Sequence, residues 1–202
     1  VNNVALGGTL TAKKIGMQRA PLAWRVRNMA RWYFIWGWLA HVLGHLYSRL
    51  FGAPVMLGKL SAIVTRADGT RINYGVLGYR VVTTAFVNFV VDQLQAETSV
   101  FGDFLYHDSG VGSTAENVTD TAIETTDGES RASGTQTEGA SANIYRSVGT
   151  IAYTSTLALR EHGLFNASTA GTLMDRTVFT AINVVNGDSV QYTYELTVTA
   201  GS

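Results

Sequence analysis

The chain has 202 residues, 46% of them hydrophobic and 15% charged, a balance that belongs to a folded protein and excludes a disordered one. It has no cysteine, which excludes disulfide frameworks, cysteine-type zinc sites, iron–sulfur clusters and thiol catalysis. The net charge of zero conceals a polarity: residues 1–80 carry eleven Lys/Arg and one acid, Asp68, whereas residues 81–202 carry four Arg and fourteen acids. Such asymmetry points the amino-terminal part towards an acidic partner, unless the two halves neutralise each other within one chain.

Residues 1–20 show no clear period and contain Gly7-Gly8, Lys13-Lys14 and Arg19. They read as an extended arm that orders on a partner or a neighbouring subunit. The order of a secretory signal, basic then apolar then small, is absent from them.

Pro21 to Phe51 reads as one long amphipathic helix, begun by Pro21 and stopped by Gly52 and Pro54. Arg27, Arg31, His41, His45 and Arg49 fall on one stripe, and most of the remaining circumference is apolar. A helix this apolar needs cover on most sides, more than the rest of the chain can give, so a partner is implied. The partner-binding candidates are Trp24, Arg25, Arg27, Arg31, Trp32, Trp36, Trp38 and Arg49, the tryptophans as buried anchors and the arginines facing acids. The small residues Gly37, Ala40 and Gly44 share a flank on which another backbone could come close. The uninterrupted run Trp32–Tyr47 has 16 residues, short of the roughly 20 that span a bilayer, so membrane contact ranks below packing on protein.

From Lys59 onward the signals are those of β structure. KLSAIVTR and RINYGVL flank an Asp68-Gly69 turn and form a hairpin. Thr83 or Thr84 caps a short helix with Phe86, Val87, Val90, Val91 and Leu94 on one face. Residues 107–142 have no aromatic residue and read as long, exposed, acidic loops, with at most one strand around Thr121–Thr126. Asn143–Thr154 and Leu157–Phe165 read as strands. Val178–Val185 and Val190–Val198 read as a hairpin around Asn186-Gly187. The fold class is mainly β: an antiparallel β-sandwich or jelly-roll-like body (residues 59–202) carrying a basic arm and a long helix (residues 1–58).

No motif for chemistry emerges. His41 and His45 lie one turn apart, but Val42 stands where a metalloprotease has its Glu, and no third ligand follows, so no metal is expected. His107-Asp108-Ser109 are consecutive and read as a loop tip. Glu161 and His162, neighbours in a strand, point to opposite faces. Gly110-Val-Gly112 lacks the third glycine of a dinucleotide site. No catalytic residue and no cofactor is assigned. The aromatics crowd one apolar helix instead of lining a polar groove, so nucleic acid ranks below protein as the partner.

Residues 59–202 resemble a family of tailed-bacteriophage virion structural proteins. The resemblance rests on Asp68-Gly-Thr, Tyr74-Gly-Val, Val81-Val-Thr-Thr and Tyr106-His-Asp-Ser-Gly-Val-Gly-Ser-Thr-Ala-Glu. It continues through Gly134-Thr-Gln-Thr-Glu-Gly, Glu161-His-Gly-Leu-Phe, Leu173-Met-Asp-Arg and Asn186-Gly-Asp-Ser-Val-Gln-Tyr-Thr-Tyr. It implies a non-enzymatic virion component: a capsid decoration (cement) protein first, then a tail or fibre module touching a host receptor; the basic amino-terminal half adds a DNA-contacting internal protein as a further alternative. Its partners would be other virion proteins, the major capsid protein foremost, and further copies of itself as a trimer or dimer. Residues 1–58 lie outside the resemblance.

Overall fold

The strict alternation of Val190, Tyr192, Tyr194, Leu196 and Val198 with polar residues sets the central strand of the larger sheet. In the computed structural model, which describes residues 16–51, 53–80, 82–94 and 104–199, the apolar set from Val190 to Leu196 is buried. The strands are β1 (Gln18–Arg19), β2 (Val55–Thr65), β3 (Arg71–Arg80), β4 (Tyr106–Gly110), β5 (Ala132–Ser133), β6 (Thr135–Glu138), β7 (Ile144–Ala152), β8 (Leu157–Phe165), β9 (Leu173–Val184) and β10 (Ser189–Thr199). The helices are α1 (Leu22–Met29), α2 (Trp32–Phe51) and α3 (Thr84–Leu94). The protein is mainly β. One sheet has the order β1-β3-β2-β10-β7-β6 and the other β5-β4-β8-β9, antiparallel throughout except for the short parallel pair β1–β3. One apolar core takes side chains from both, including Leu60, Val64, Tyr192 and Leu196 from the larger sheet and Leu159, Leu164, Phe179 and Ile182 from the smaller.

The Asp68-Gly69 hairpin joins β2 to β3 as its turn chemistry requires, with Gly69 at φ 81°. The Asn186-Gly187 turn is present too, with Gly187 at φ 88°, but it does not make a hairpin. β9 pairs with β8, and β10 pairs with β2 and β7, so the turn is a corner at which the chain changes sheets. Asp188 explains the difference. Its carboxylate accepts from the Val185 and Ala67 amides at 3.0 Å and from Arg66 at 2.6 Å, clasping this corner to the β2–β3 turn. A local turn signal cannot register that distant clasp.

Three further expectations are corrected. The segment 107–142 is loop only in part: residues 111–131 are irregular and mostly exposed or half-buried, with an isolated bridge at Thr126 in place of the expected strand, but His107–Gly110 lie in β4, a buried strand inside the smaller sheet, and two short strands follow. Helix α3 is capped by Thr83, whose Oγ1 accepts from the Phe86 amide at 3.1 Å, but it buries Phe86 and Phe89 while Val87, Val91 and Leu94 are exposed. The long helix is two helices, bent at Ala30–Arg31. Asn28, on α1, is buried and bridges the sheets: Nδ2 donates to Leu77 O of β3 at 3.0 Å, and Oδ1 accepts from Thr180 N of β9 at 3.0 Å. α1 thereby closes the gap between β3 and β9, whereas α2 lies on β2 and β3, and one straight helix cannot do both. β2 begins at Val55, so this strand crosses the expected division between residues 58 and 59. The expected arm falls mostly outside the described residues; from Gly16 the chain leads into β1, paired with Ile72 and Asn73.

Candidate partner-binding surface

Helix α2 turns Ser48 and His41 towards the body and leaves Arg49 exposed: Ser48 is buried and its Oγ donates to Thr199 Oγ1 at 3.1 Å, and the His41 ring lies 5.0 Å from that of Tyr79. Burial lowers the His41 pKa, helped by the nearby charges of His45 and Lys59. Gly44 also faces inward, where a Cβ would stand 3.0 Å from Leu57, so this glycine of the expected flank admits the protein's own β2, whereas Ala40 is exposed. Outward point Trp32, Ile35, Trp36, Trp38, Val42, Leu43, Leu46, Tyr47, Leu50 and Phe51, with Trp32 65% and Phe51 69% exposed. At about 100° per residue these sweep roughly 220° of the helix circumference. From α1, Leu22, Val26 and Met29 extend the same apolar surface. Monomeric proteins seldom leave a continuous apolar patch of this kind in water, and such patches mark interaction sites.

The expected anchor residues divide accordingly. Trp32, Trp36 and Trp38 are exposed, the first two packed edge-to-face with centroids 5.2 Å apart. Trp24 belongs to the body instead: its Nε1 donates to Ala181 O at 2.9 Å and Thr180 O at 3.2 Å, and its ring meets Tyr74 edge-on at 4.6 Å. Arg25, Arg27 and Arg49 are exposed and Arg31 is half-buried. The aliphatic part of the face, from Ile35 to Leu50, escaped the sequence reading. Periodicity gives the two sides of a helix but not which one turns inward.

The charge asymmetry is only partly resolved inside the chain. Of the basic half, Lys59 pairs with Glu195 and Arg66 with Asp188. Within the acidic half, Arg146 pairs with Glu195 at 2.7 Å and Arg131 with Asp108 at 2.9 Å. Arg25 and Arg27 pair with no acid among the described residues.

The smaller sheet holds two buried polar clusters, on opposite faces of β8. Glu161 points away from the core and is fully buried beneath the 111–126 segment. Its Oε1 accepts from the amides of Thr125 (2.8 Å) and Gly112 (2.9 Å), and its Oε2 from the Glu124 amide (3.0 Å) and Arg176 Nε (2.7 Å). Arg176 reaches further, donating to Asp120 Oδ2 at 3.0 Å and to Glu124 Oε2 and Thr114 O at 3.2 Å. This hub fastens the acidic segment to the sheet. A Cβ on Gly110 would stand 2.7 Å from Glu161 Oε1, so the glycine is there for close approach.

On the inner face, His107 Nδ1 lies 3.0 Å from His162 Nε2, and His107 Nε2 lies 2.8 Å from Ser147 Oγ. His162 Nδ1 is buried with no partner. A bare lone pair costs less there than an orphaned N–H, so we assign the His162 proton to Nε2, donating to His107 Nδ1, and the His107 proton to Nε2, donating to Ser147. Burial pushes the His107 pKa down to about 4, and burial with the neighbouring His107 holds that of His162 well below its ordinary value. Ser109 Oγ donates to Asp127 and lies 2.9 Å from Tyr153 OH; burial lifts the Asp127 carboxyl above its usual range against that hydrogen bond.

Ser147, His107 and His162 stand in the order of a hydrolase's nucleophile, base and orienter, but with the protons placed as above His107 donates to Ser147 and cannot take its proton. Ser147 and His107 also have no exposed surface, and a Cβ on Gly149 or Gly134 would run into the His107 ring. A substrate carbonyl has no approach to Ser147 Oγ, and the line acts as packing. His41 and His45 stand 4.9 Å apart edge-on, and among the described residues no three His, Cys, Asp or Glu gather as metal ligands. An apolar cavity of about 340 Å³ is lined by Met56, Phe86, Val90, Phe104, Tyr145 and Met174. Its one hydroxyl, on Tyr145, is engaged by Phe104 O and Gln136, which leaves nothing to orient a polar cofactor. Among the described residues no helix is long and apolar enough to cross a membrane.

No family model matches the chain, and no curated protein matches it.

Proposed function

We propose that the chain is a non-enzymatic structural protein of a tailed-phage virion, a cement protein that sits on the capsid surface and clamps the shell. The observation that carries this reading is the outward apolar face of α2. At roughly 25 cal/mol per Å² of apolar surface removed from water, covering such a face is a strong drive to assembly. Its tryptophans are the side chains that most often dominate interfaces. The β body is read as an antiparallel sandwich of jelly-roll-like build; in support, the chain changes sheets after β3, β5, β7 and β9. The resemblance of residues 59–202 to virion proteins supplies the setting, and the closed Ser147–His107–His162 line favours a structural role over catalysis. The major capsid protein is the first partner, and any dimer or trimer of the chain forms through the β body.

Antibody against the chain, gold-labelled on intact virions, tests the reading. Label over the whole shell is the expected result. Label restricted to the tail tip would transfer the protein to the tail or fibre class, and particles without label would remove the virion assignment.

A further inference from the structure

We propose that the apolar cavity beside α3 is a binding site for a small uncharged hydrocarbon, a ring or chain of about ten carbons. At about 340 Å³ it lies within the range of ligand sites and well beyond the voids of an ordinary core. An apolar cavity of about 150 Å³ stays dry and holds benzene, so this one has room for roughly twice that molecule. Its walls come from both sheets and from α3. Phe86, Phe104 and Met174 are buried, Met56, Val90 and Tyr145 are half-buried, and Val198 is 39% exposed. The cavity therefore meets solvent on the Val198 side, where a guest can enter.

The walls are tied in place. The cost of an empty void grows with its volume, and a core relaxes into it where it can. Here Thr83, just before α3, donates through its amide to Met174 O at 3.0 Å and through Oγ1 to Leu173 O at 2.6 Å. The Thr84 amide donates to Val118 O at 2.9 Å. The Phe104 ring meets those of Phe86 and Phe89 edge-on, at 5.1 and 4.9 Å, and Tyr145 donates its hydroxyl to Phe104 O. Moving the start of α3 inward would break these contacts, so a guest fills the space with less disturbance. The lining selects its chemistry. Among the described residues it exposes no polar surface, and the Tyr145 hydroxyl is already engaged. A charged or strongly polar group inside would lose its water and gain no hydrogen bond. The flexible thioethers of Met56 and Met174, one from each sheet, adapt to an apolar guest.

The test uses the full chain, its four methionine methyls labelled with carbon-13, and butylbenzene as the probe. Met56 and Met174 line the cavity, whereas Met17 and Met29 are exposed on the outside. Butylbenzene should shift the Met56 and Met174 signals saturably and leave those of Met17 and Met29 in place. Benzene should act on the same two methyls at least about tenfold more weakly, because it fills less of the space. Val90→Phe, which takes up part of the cavity from α3, should weaken butylbenzene by about tenfold or more. Trp36→Ser, on the outer face of α2, should leave the affinity unchanged. Far-ultraviolet circular dichroism checks that both variants fold, and the wild-type shifts decide the matter should Val90→Phe fail to. Met56 and Met174 signals that stay fixed up to the solubility limit of butylbenzene overturn the proposal. So does a shift confined to Met17 and Met29, a folded Val90→Phe chain that binds as tightly as the wild type, or binding that Trp36→Ser abolishes.

Discussion

Replacing Arg176 with Met should destabilise the protein by about 3–5 kcal/mol, because it leaves a buried carboxylate without its cation. Glu161 has no exposed surface and holds three backbone amides of the 111–126 segment besides Arg176 Nε. The methionine replaces the stem but not the guanidinium, which also ties Asp120, Glu124 and Thr114. The damage is therefore both global and local. Urea denaturation should show the loss of stability, and limited proteolysis should show new cleavage between residues 111 and 126. A loss below about 1 kcal/mol, the size of an exposed ion pair, would mean that the hub does not hold the segment.

Acid should weaken the fold through the imidazole pair. His107 has a pKa of about 4 in the folded chain against an ordinary value of 6.5, so the unfolded chain takes up its proton first as the pH falls. The neutral pair's contribution is intact above about pH 6.5 and is lost between there and about pH 4, some 3 kcal/mol for His107 alone at 1.36 kcal/mol per pH unit. His162 shifts in the same direction and deepens the loss. The groups around the pair are Ser147 on β7, Thr177 opposite His162 on β9 and Tyr192 on β10, with Ser109, Tyr153 and Asp127 beyond. Asp127, raised above its usual value of 3.8, works with the opposite sign and only near its own titration. Denaturation midpoints taken from pH 7.5 to pH 4 should fall in the wild type, and the slope should flatten in His162→Leu. An unchanged slope in that variant would remove the pair as the cause.

Local chemistry was legible where it decides locally. The Asp68-Gly69 hairpin, the Thr83 cap, the alternation of Val190 to Leu196 and the opposite faces of Glu161 and His162 all follow from residues within a few positions of each other. What escaped depends on distant partners. His107-Asp108-Ser109 resemble a loop tip by composition, yet they pair with His162–Leu164 as a buried strand because the acids around them are matched by Arg131 and Arg176, far along the chain. The corner at Asn186-Gly187 depends on Asp188 reaching Arg66. The bend after Asn28 depends on the amide of Thr180. For the candidate surface, the sequence singled out α2 and named three tryptophans that the structure leaves exposed. It could not place Trp24 in the body or show that α2 keeps its histidines inward, since both sides of that helix are apolar enough to be buried.

Acrylamide quenching of tryptophan fluorescence, on the free chain and on the chain bound to shells, tests most directly whether the outer face of α2 exists to be covered. The free chain should be quenched strongly through Trp32, Trp36 and Trp38, and a large part of that quenching should vanish on the particle. Indoles already shielded in the purified monomer would contradict the account, since a helix covered by its own chain needs no partner.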